Sequence, residues 1–256
     1  MKITQVRNAT LILEYAGVRF LIDPMLSAKG ALPPFAGTPN AAMCNPLVEL
    51  PFGLDRIAQV DAVIVTHTHK DHWDDAAAEA LPKTLPLFAQ NEQDAAQFRT
   101  EGFAGVRLLG ETSAFNGIAL VKTPGQHGSD NTMLHLGERL GQVCGIVFRH
   151  RDEKTLYLAG DTIWNGDVAN SLAQHTPDVV ILNCGDAQIN GYGSIIMGAA
   201  DVLEVANAAP NADIVATHME AVNHALLSRR ELRDFAIANG IAPRTHIPED
   251  GETVTC

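Results

Sequence analysis

Residues 66–74 read THTHKDHWD, three histidines and two aspartates within nine positions, directly after the apolar run AVIVT. In extended backbone, residues two apart point to the same side, so His67 and His69 can bind one ion together. Asp71 and His72 follow where the chain turns toward a helix, and they face a second position nearby. Imidazole and carboxylate suit zinc, and also iron or manganese.

The same arrangement recurs along the chain. IALVKTPGQ runs into His127, LYLAG into Asp161 and DIVAT into His218. Sites in α/β proteins gather where loops leave the carboxyl ends of strands. Five histidines and two aspartates delivered in this way suffice for two metal ions, and the two oxygens of Asp161 can bridge them. A simpler reading exists for each piece alone. A strand-end histidine is commonly a half-buried polar residue, Asp161 in GDT can cap a helix, and THMEAVNH offers His224 as well as His218. Against this, H-x-H-x-D-H directly after a strand is uncommon by chance.

The remaining chain reads as an α/β (α+β) domain with more than one sheet. KITQV, TLILEY and VRFLID are strand-like, and from DAVIVT onward strands and helices alternate. DDAAAEAL starts at Asp74 or Asp75, NEQDAAQFRTEG at Asn91, and SRRELRDFAIANG at a Ser228–Glu231 capping box. VRLLG, IALVKT, TMLHL, CGIVFRH, KTLYLAG, DVVILNC and ADIVATH read as strands, with a last strand at ETV. DVANSLAQH and AADVLEVANAA read as helices. Residues 1–256 form a single domain. Six of the 13 prolines fall between Pro24 and Pro51, so residues 24–55 read as an inserted loop, equally a lid over a site or a homo-oligomer contact.

Composition narrows the partners. The net charge of −12 and the absence of a basic stripe disfavour nucleic acid and anionic membrane surfaces, leaving a small-molecule substrate. Cys44, Cys144, Cys184 and Cys256 show no metal-finger or disulfide pattern, and the first ten residues resemble no signal peptide. The expected compartment is the cytoplasm.

THTHKDH, PGQHG, LAGDT and VATHME occur in an order and spacing that resemble the metallo-β-lactamase superfamily, over nearly the whole chain. LIDPML, THMEAVNH and PEDGETV look closest to the branch holding ascorbate-phosphate lactonase and the N-acyl phosphatidylethanolamine phospholipase. The resemblance implies a four-layer αβ/βα sandwich with two divalent ions, zinc first, at the sheet edges. By motif, His67, His69 and His127 would hold one ion, and Asp71, His72 and His218 the other, with Asp161 between them. Such ions supply hydroxide at neutral pH, since a coordinated water titrates near about 7. Asp71 and Asp161 are then the catalytic carboxylates, Asp71 orienting the nucleophile or passing a proton to the leaving group.

His224, Trp164, Asn165 and Asn183 are candidate substrate contacts from adjoining loops, with Cys184 and Asp186 beside them. His135, His150, His175 and His246 carry no such context and read as structural, and Ser194 in GYGSI is no nucleophile elbow. The expected reaction is hydrolysis of a lactone, ester or amide. The alternatives are a phosphodiesterase, a di-iron redox protein on the same scaffold, and a non-catalytic metal-binding protein.

Overall fold

The structure, a computed structural model, describes residues 1–256. The first of two seven-stranded sheets runs, in spatial order, Thr253–Thr255, Lys2–Arg7, Thr10–Tyr15, Val18–Ile22, Ala62–Val65, Pro86–Ala89 and Gly105–Leu108. The second runs Thr245–His246, Asp213–Thr217, Val179–Asn183, Leu156–Leu158, Cys144–Arg149, Ile118–Pro124 and Ser113–Phe115. Each sheet is part antiparallel and part parallel. The first three strands form a meander, and Val18–Ile22, Ala62–Val65, Pro86–Ala89 and Gly105–Leu108 are parallel neighbours.

The strands read as continuous apolar runs because both faces are buried. Leu11, Leu13 and Tyr15 face the core between the sheets, while Ile12 faces the helices outside. Ala62 and Ile64 alternate with Val63 and Val65 in the same way, as do Val179 and Ile181 with Val180 and Leu182. Phe20 joins the sheets, its ring centroid 5.9 Å from Phe115 and 5.6 Å from Phe148. Truncating such a ring to alanine costs about 3–5 kcal/mol.

Helices Asp75–Ala80 and Glu92–Thr100 cover the outer face of the first sheet through Ala77, Ala95 and Phe98. Gly166–His175, Ala199–Ala208 and Arg229–Ala238 cover the second through Val168, Leu172, Val202, Val205, Leu232 and Ala236. The layers are therefore helix, sheet, sheet, helix. The expected caps form: Asp74, Asn91 and Ser228 each accept a backbone N–H three residues on.

One expected strand is a helix. TMLHL lies within Asp130–Leu140, capped by Ser129. Its five residues are mostly apolar, but the longer window places Met133, Leu136 and Leu140 on one packed face and leaves Leu134 81% exposed. The segments Leu54–Ile57, Ser113–Phe115, Gln188–Ile189 and Gly193–Ser194 are further elements too short for a periodic signal.

One side chain anchors the middle of the proline-rich stretch. Asn223 is fully buried; its amide Nδ2 donates to the Thr38 hydroxyl at 2.9 Å and the Pro39 carbonyl at 2.7 Å. Its Oδ1 accepts from Phe35 N at 3.2 Å and Asn45 Nδ2 at 2.9 Å, and its N–H donates to Asn45 Oδ1 at 2.8 Å. At the root of the stretch, the buried Arg7 guanidinium donates to the carbonyls of Met25 and Ser27 at 2.6 and 2.8 Å.

Candidate metal centre

The chain brings all seven expected ligands to one end of the sandwich, where loops leave both sheets. Val65 ends its strand, and Thr66 through His72 cross the edge of the first sheet. From the second sheet, Ile118–Pro124 leads to His127, Leu156–Leu158 to Asp161, and Asp213–Thr217 to His218. Gly160 lets the chain turn there. It has φ +71°, and an added Cβ would strike the Cys144 carbonyl oxygen. Three non-glycine residues at this edge, Asn8, Asp23 and His218, also have left-handed φ of 55°, 46° and 62°. Such backbone persists where surrounding contacts over-determine it, commonly at functional sites.

Two triads emerge. The ligand atoms of His67, His69 and His127 lie within 4.8 Å of one another, as do those of Asp71, His72 and His218. Asp161 sits between them: its Oδ2 is 3.1 Å from His72 Nε2, 3.7 Å from His218 Nε2, 3.8 Å from His67 Nε2 and 3.9 Å from His127 Nε2. His67 Nε2 and His69 Nδ1 are 3.0 Å apart, and His72 Nε2 and His218 Nε2 are 3.2 Å apart. His127 Nε2 is buried with no hydrogen-bond partner. Ring nitrogens and carboxylate oxygens crowded in a buried site, one nitrogen without a hydrogen bond, are what a shared cation relieves. The donor set therefore fits divalent metal, and imidazole with carboxylate fits zinc, iron or manganese.

Protonation obeys the same geometry. Burial, with His72 and His69 nearby, holds His67 well below its ordinary value, and burial pushes His127 down to about 4. Their lone pairs are free at neutral pH. For His72 burial also acts downward, but Asp161 and Asp23 outweigh it and hold the ring well above its ordinary value. Burial would raise Asp161, yet His72 and His218 hold it well below the usual carboxylate range. The hydrogen bond from His218 and the charge of His72 do the same for Asp71, against its burial.

A second ring of residues orients these ligands; Asp23 falls within LIDPML, but the sequence gives neither it nor Asn8 a role at the site. The Asp23 carboxylate, 1% exposed, sits 2.9 Å from His72 Nδ1 and accepts from Thr66 N–H at 2.7 Å and the Thr66 hydroxyl at 2.8 Å. Asn8 Nδ2 donates to the Asp71 carbonyl at 3.0 Å and lies 3.3 Å from His218 Nε2. His127 Nδ1 meets the Ile195 carbonyl at 3.2 Å. Such partners fix the tautomer and orientation of a ligating imidazole. Their signals in the chain are faint: an aspartate at a strand end before Pro24, and an asparagine in a two-residue turn.

A cavity of about 250 Å³ opens over the ligands, lined by His69, Asp71, His127 and Asp161, by Phe35 and Thr38 of the proline-rich stretch, by Leu140, Ile189, Ile195 and His224, and by the polar Thr68, Lys70 and Arg139. The stretch thus forms a wall of the cavity. His224, one of the expected substrate contacts, lines this cavity. The other expected contacts do not line the cavity. Asn165 caps the helix Gly166–His175, accepting Val168 N–H at 3.0 Å, and Trp164 packs against the helix-side core. Asn183 stands behind Asp161, donating to its Oδ1 at 2.6 Å, so it positions a ligand and leaves Oδ2 turned to the histidines. Cys184 is buried in the core, and Asp186 accepts from Ser194 and Gln188. Loop adjacency in sequence does not say which way a side chain turns.

Comparison with known proteins agrees with this architecture. The Beta-lactamase superfamily domain matches residues 18–219, and the chain belongs to that family. It is 48% identical over 256 residues to the UPF0173 protein YddR of Bacillus subtilis, covering 100% of both chains. Among solved structures, an isothiocyanate hydrolase from Delia radicum gut bacteria superimposes with a TM-score of 0.97 at 49% identity, covering 100% of this chain and 99% of that one. A possible metal-dependent hydrolase from Veillonella parvula superimposes at 0.98 with 43% identity and the same coverage. The chain is a metallo-hydrolase of this fold. No helix is long and apolar enough to cross a membrane.

Proposed function

We propose that this hydrolase attacks the electrophilic carbon of a small compound, with an isothiocyanate as the first candidate and a lactone, ester or amide as the wider class. The observation that carries the reading is the cavity. About 250 Å³ suits a fragment-sized molecule, its floor is the ligand cluster, and Phe35, Leu140, Ile189 and Ile195 give it an apolar wall. The 49% identity to an isothiocyanate hydrolase supports the particular candidate.

His67, His69 and His127 would hold one divalent ion, and Asp71, His72 and His218 a second, with Asp161 shared. Ions held there would supply Lewis acidity and hydroxide at neutral pH. The chain does the rest. Asp161 Oδ2 fixes the spacing of the triads, Asn183 keeps its Oδ1 occupied, and Asp71, on the cavity wall, is placed to orient the attacking water by accepting its hydrogen bond. For an isothiocyanate the balance is R–N=C=S with one water giving R–NH2 and carbonyl sulfide.

The test begins with metal analysis of protein purified without added metal. Turnover is then measured on benzyl isothiocyanate, a lactone, a carboxyl ester and a bis-aryl phosphate. Asp161→Ala is expected to abolish hydrolysis with an unchanged circular dichroism spectrum; unchanged turnover removes Asp161 from the mechanism. A full metal load without turnover on any probe points to a non-catalytic protein. Turnover of the phosphate alone points to a phosphodiesterase, and bound iron with a visible absorption band to redox chemistry.

A further inference from the structure

His224 holds a position that the ligand set leaves unexplained. It is 5% exposed and lines the cavity beside Asp71, His69 and Asp161, yet it belongs to neither triad. Its Nδ1 is sealed from solvent and has no hydrogen-bond partner. The ring is held from the opposite chain segment: Phe35 meets it edge-on, centroids 4.8 Å apart and planes at 71°. Phe35 is itself fixed through its N–H to Asn223, the residue before His224. The proline-rich stretch and His224 therefore form one clamped unit at the cavity wall.

The unpartnered Nδ1 decides the tautomer. A buried N–H without an acceptor is rarer in folded proteins than an acceptor left short of a donor. The ring proton therefore belongs on Nε2, the nitrogen that remains for the cavity. Burial keeps the ring from taking a second proton, pushing it down to about 4. We infer that His224 is a catalytic residue of the hydrolase reaction proposed above: a neutral imidazole whose Nε2–H donates a hydrogen bond to the substrate heteroatom that gains charge as water adds to the carbon. For an isothiocyanate that atom is the nitrogen or sulfur of the N=C=S group, and for an ester the carbonyl oxygen. His224 gives up no proton, because the water supplies both hydrogens of the amine product. A preorganised donor of this kind strengthens its bond as charge develops, which lowers the barrier rather than the ground state.

The inference rests on the hydrolase reading, and the experiment separates the two. Wild type, His224→Leu and His224→Gln are compared at equal metal content on benzyl isothiocyanate and phenyl acetate. Histidine-specific 15N spectra are recorded for wild type and the leucine variant. The leucine variant is expected to lose about 10²-fold in kcat with its metal content unchanged, while glutamine, which keeps an N–H donor, stays within about tenfold of wild type. The difference spectrum at pH 7 is expected to show one neutral ring with its proton on Nε2. A leucine variant within about threefold of wild type, a glutamine variant as slow as leucine, or a ring protonated on Nδ1 or on both nitrogens would overturn the assignment. A wild type that turns over neither probe overturns the functional reading instead, and the spectrum then still reports whether the ring carries its proton where the fold requires.

Discussion

Replacing Asp23 with asparagine exchanges a single acceptor for a donor, and the tautomer of His72 must change with it. Asp23 Oδ1 accepts the buried Thr66 N–H at 2.7 Å, while Oδ2 faces His72 Nδ1 at 2.9 Å. The amide must keep its oxygen on Thr66, since the flipped rotamer would set an NH2 group against a backbone N–H. Its nitrogen then faces His72 Nδ1, and a donor there obliges Nδ1 to accept. A ring that must release one proton to bind a metal then loses it from Nδ1 and keeps the one on Nε2, the atom 3.1 Å from Asp161 Oδ2 and 3.2 Å from His218 Nε2. A protonated Nε2 has no lone pair for a metal. Loss of such an outer partner costs 10–100-fold in metal affinity, about 1.4–2.8 kcal/mol. The fold is spared, because the Thr66 N–H keeps its acceptor; alanine would leave it unpaired at a cost of about 1–3 kcal/mol. The assay is zinc competition against a chromophoric chelator, using stripped protein. A variant that binds zinc within about threefold of wild type would refute the tautomer argument and leave Asp23 a purely structural residue.

Asn223→Ala removes four side-chain hydrogen bonds to the proline-rich stretch, and is expected to destabilise the protein by about 3 kcal/mol or more, with new proteolytic cleavage between residues 24 and 51 and a raised KM. Thermal melts and mass mapping of a limited digest check it; an uncut stretch would show that the loop holds without Asn223. Stability should also depend on pH through His224. Burial pushes its ring down to about 4 from 6.5, so between those values the unfolded chain binds more protons than the folded one. The stability that its neutral form contributes is whole above 6.5 and is lost as pH falls toward about 4. His224→Leu should therefore flatten the fall in Tm of metal-stripped protein across that window, and parallel profiles would show that His224 is not neutral in the fold.

The nine residues THTHKDHWD, with His127, Asp161 and His218 at later strand ends, are enough to read a metal site from the chain alone. Ligand chemistry is carried by residue type, and strand ends are marked by where apolar runs stop. The apolar strands are legible for the same reason: a strand buried on both faces leaves little choice but Val, Ile, Leu and Ala. TMLHL misleads because five residues cannot distinguish a period of 2 from one of 3.6, and only the packing of Met133, Leu136 and Leu140 settles it. Tertiary structure alone decides what stands behind and above the ligands. Asp23 and Asn8 act through partners 49 and 63 residues away, Asn223 orders a stretch 178 residues earlier, and Phe35 reaches His224 across the cavity. Asn165 and Trp164 come soon after a ligand in sequence but turn into a helix cap and the core. Sequence states which chemistry a residue can perform; which neighbours it meets depends on where the two sheets bring their loops together.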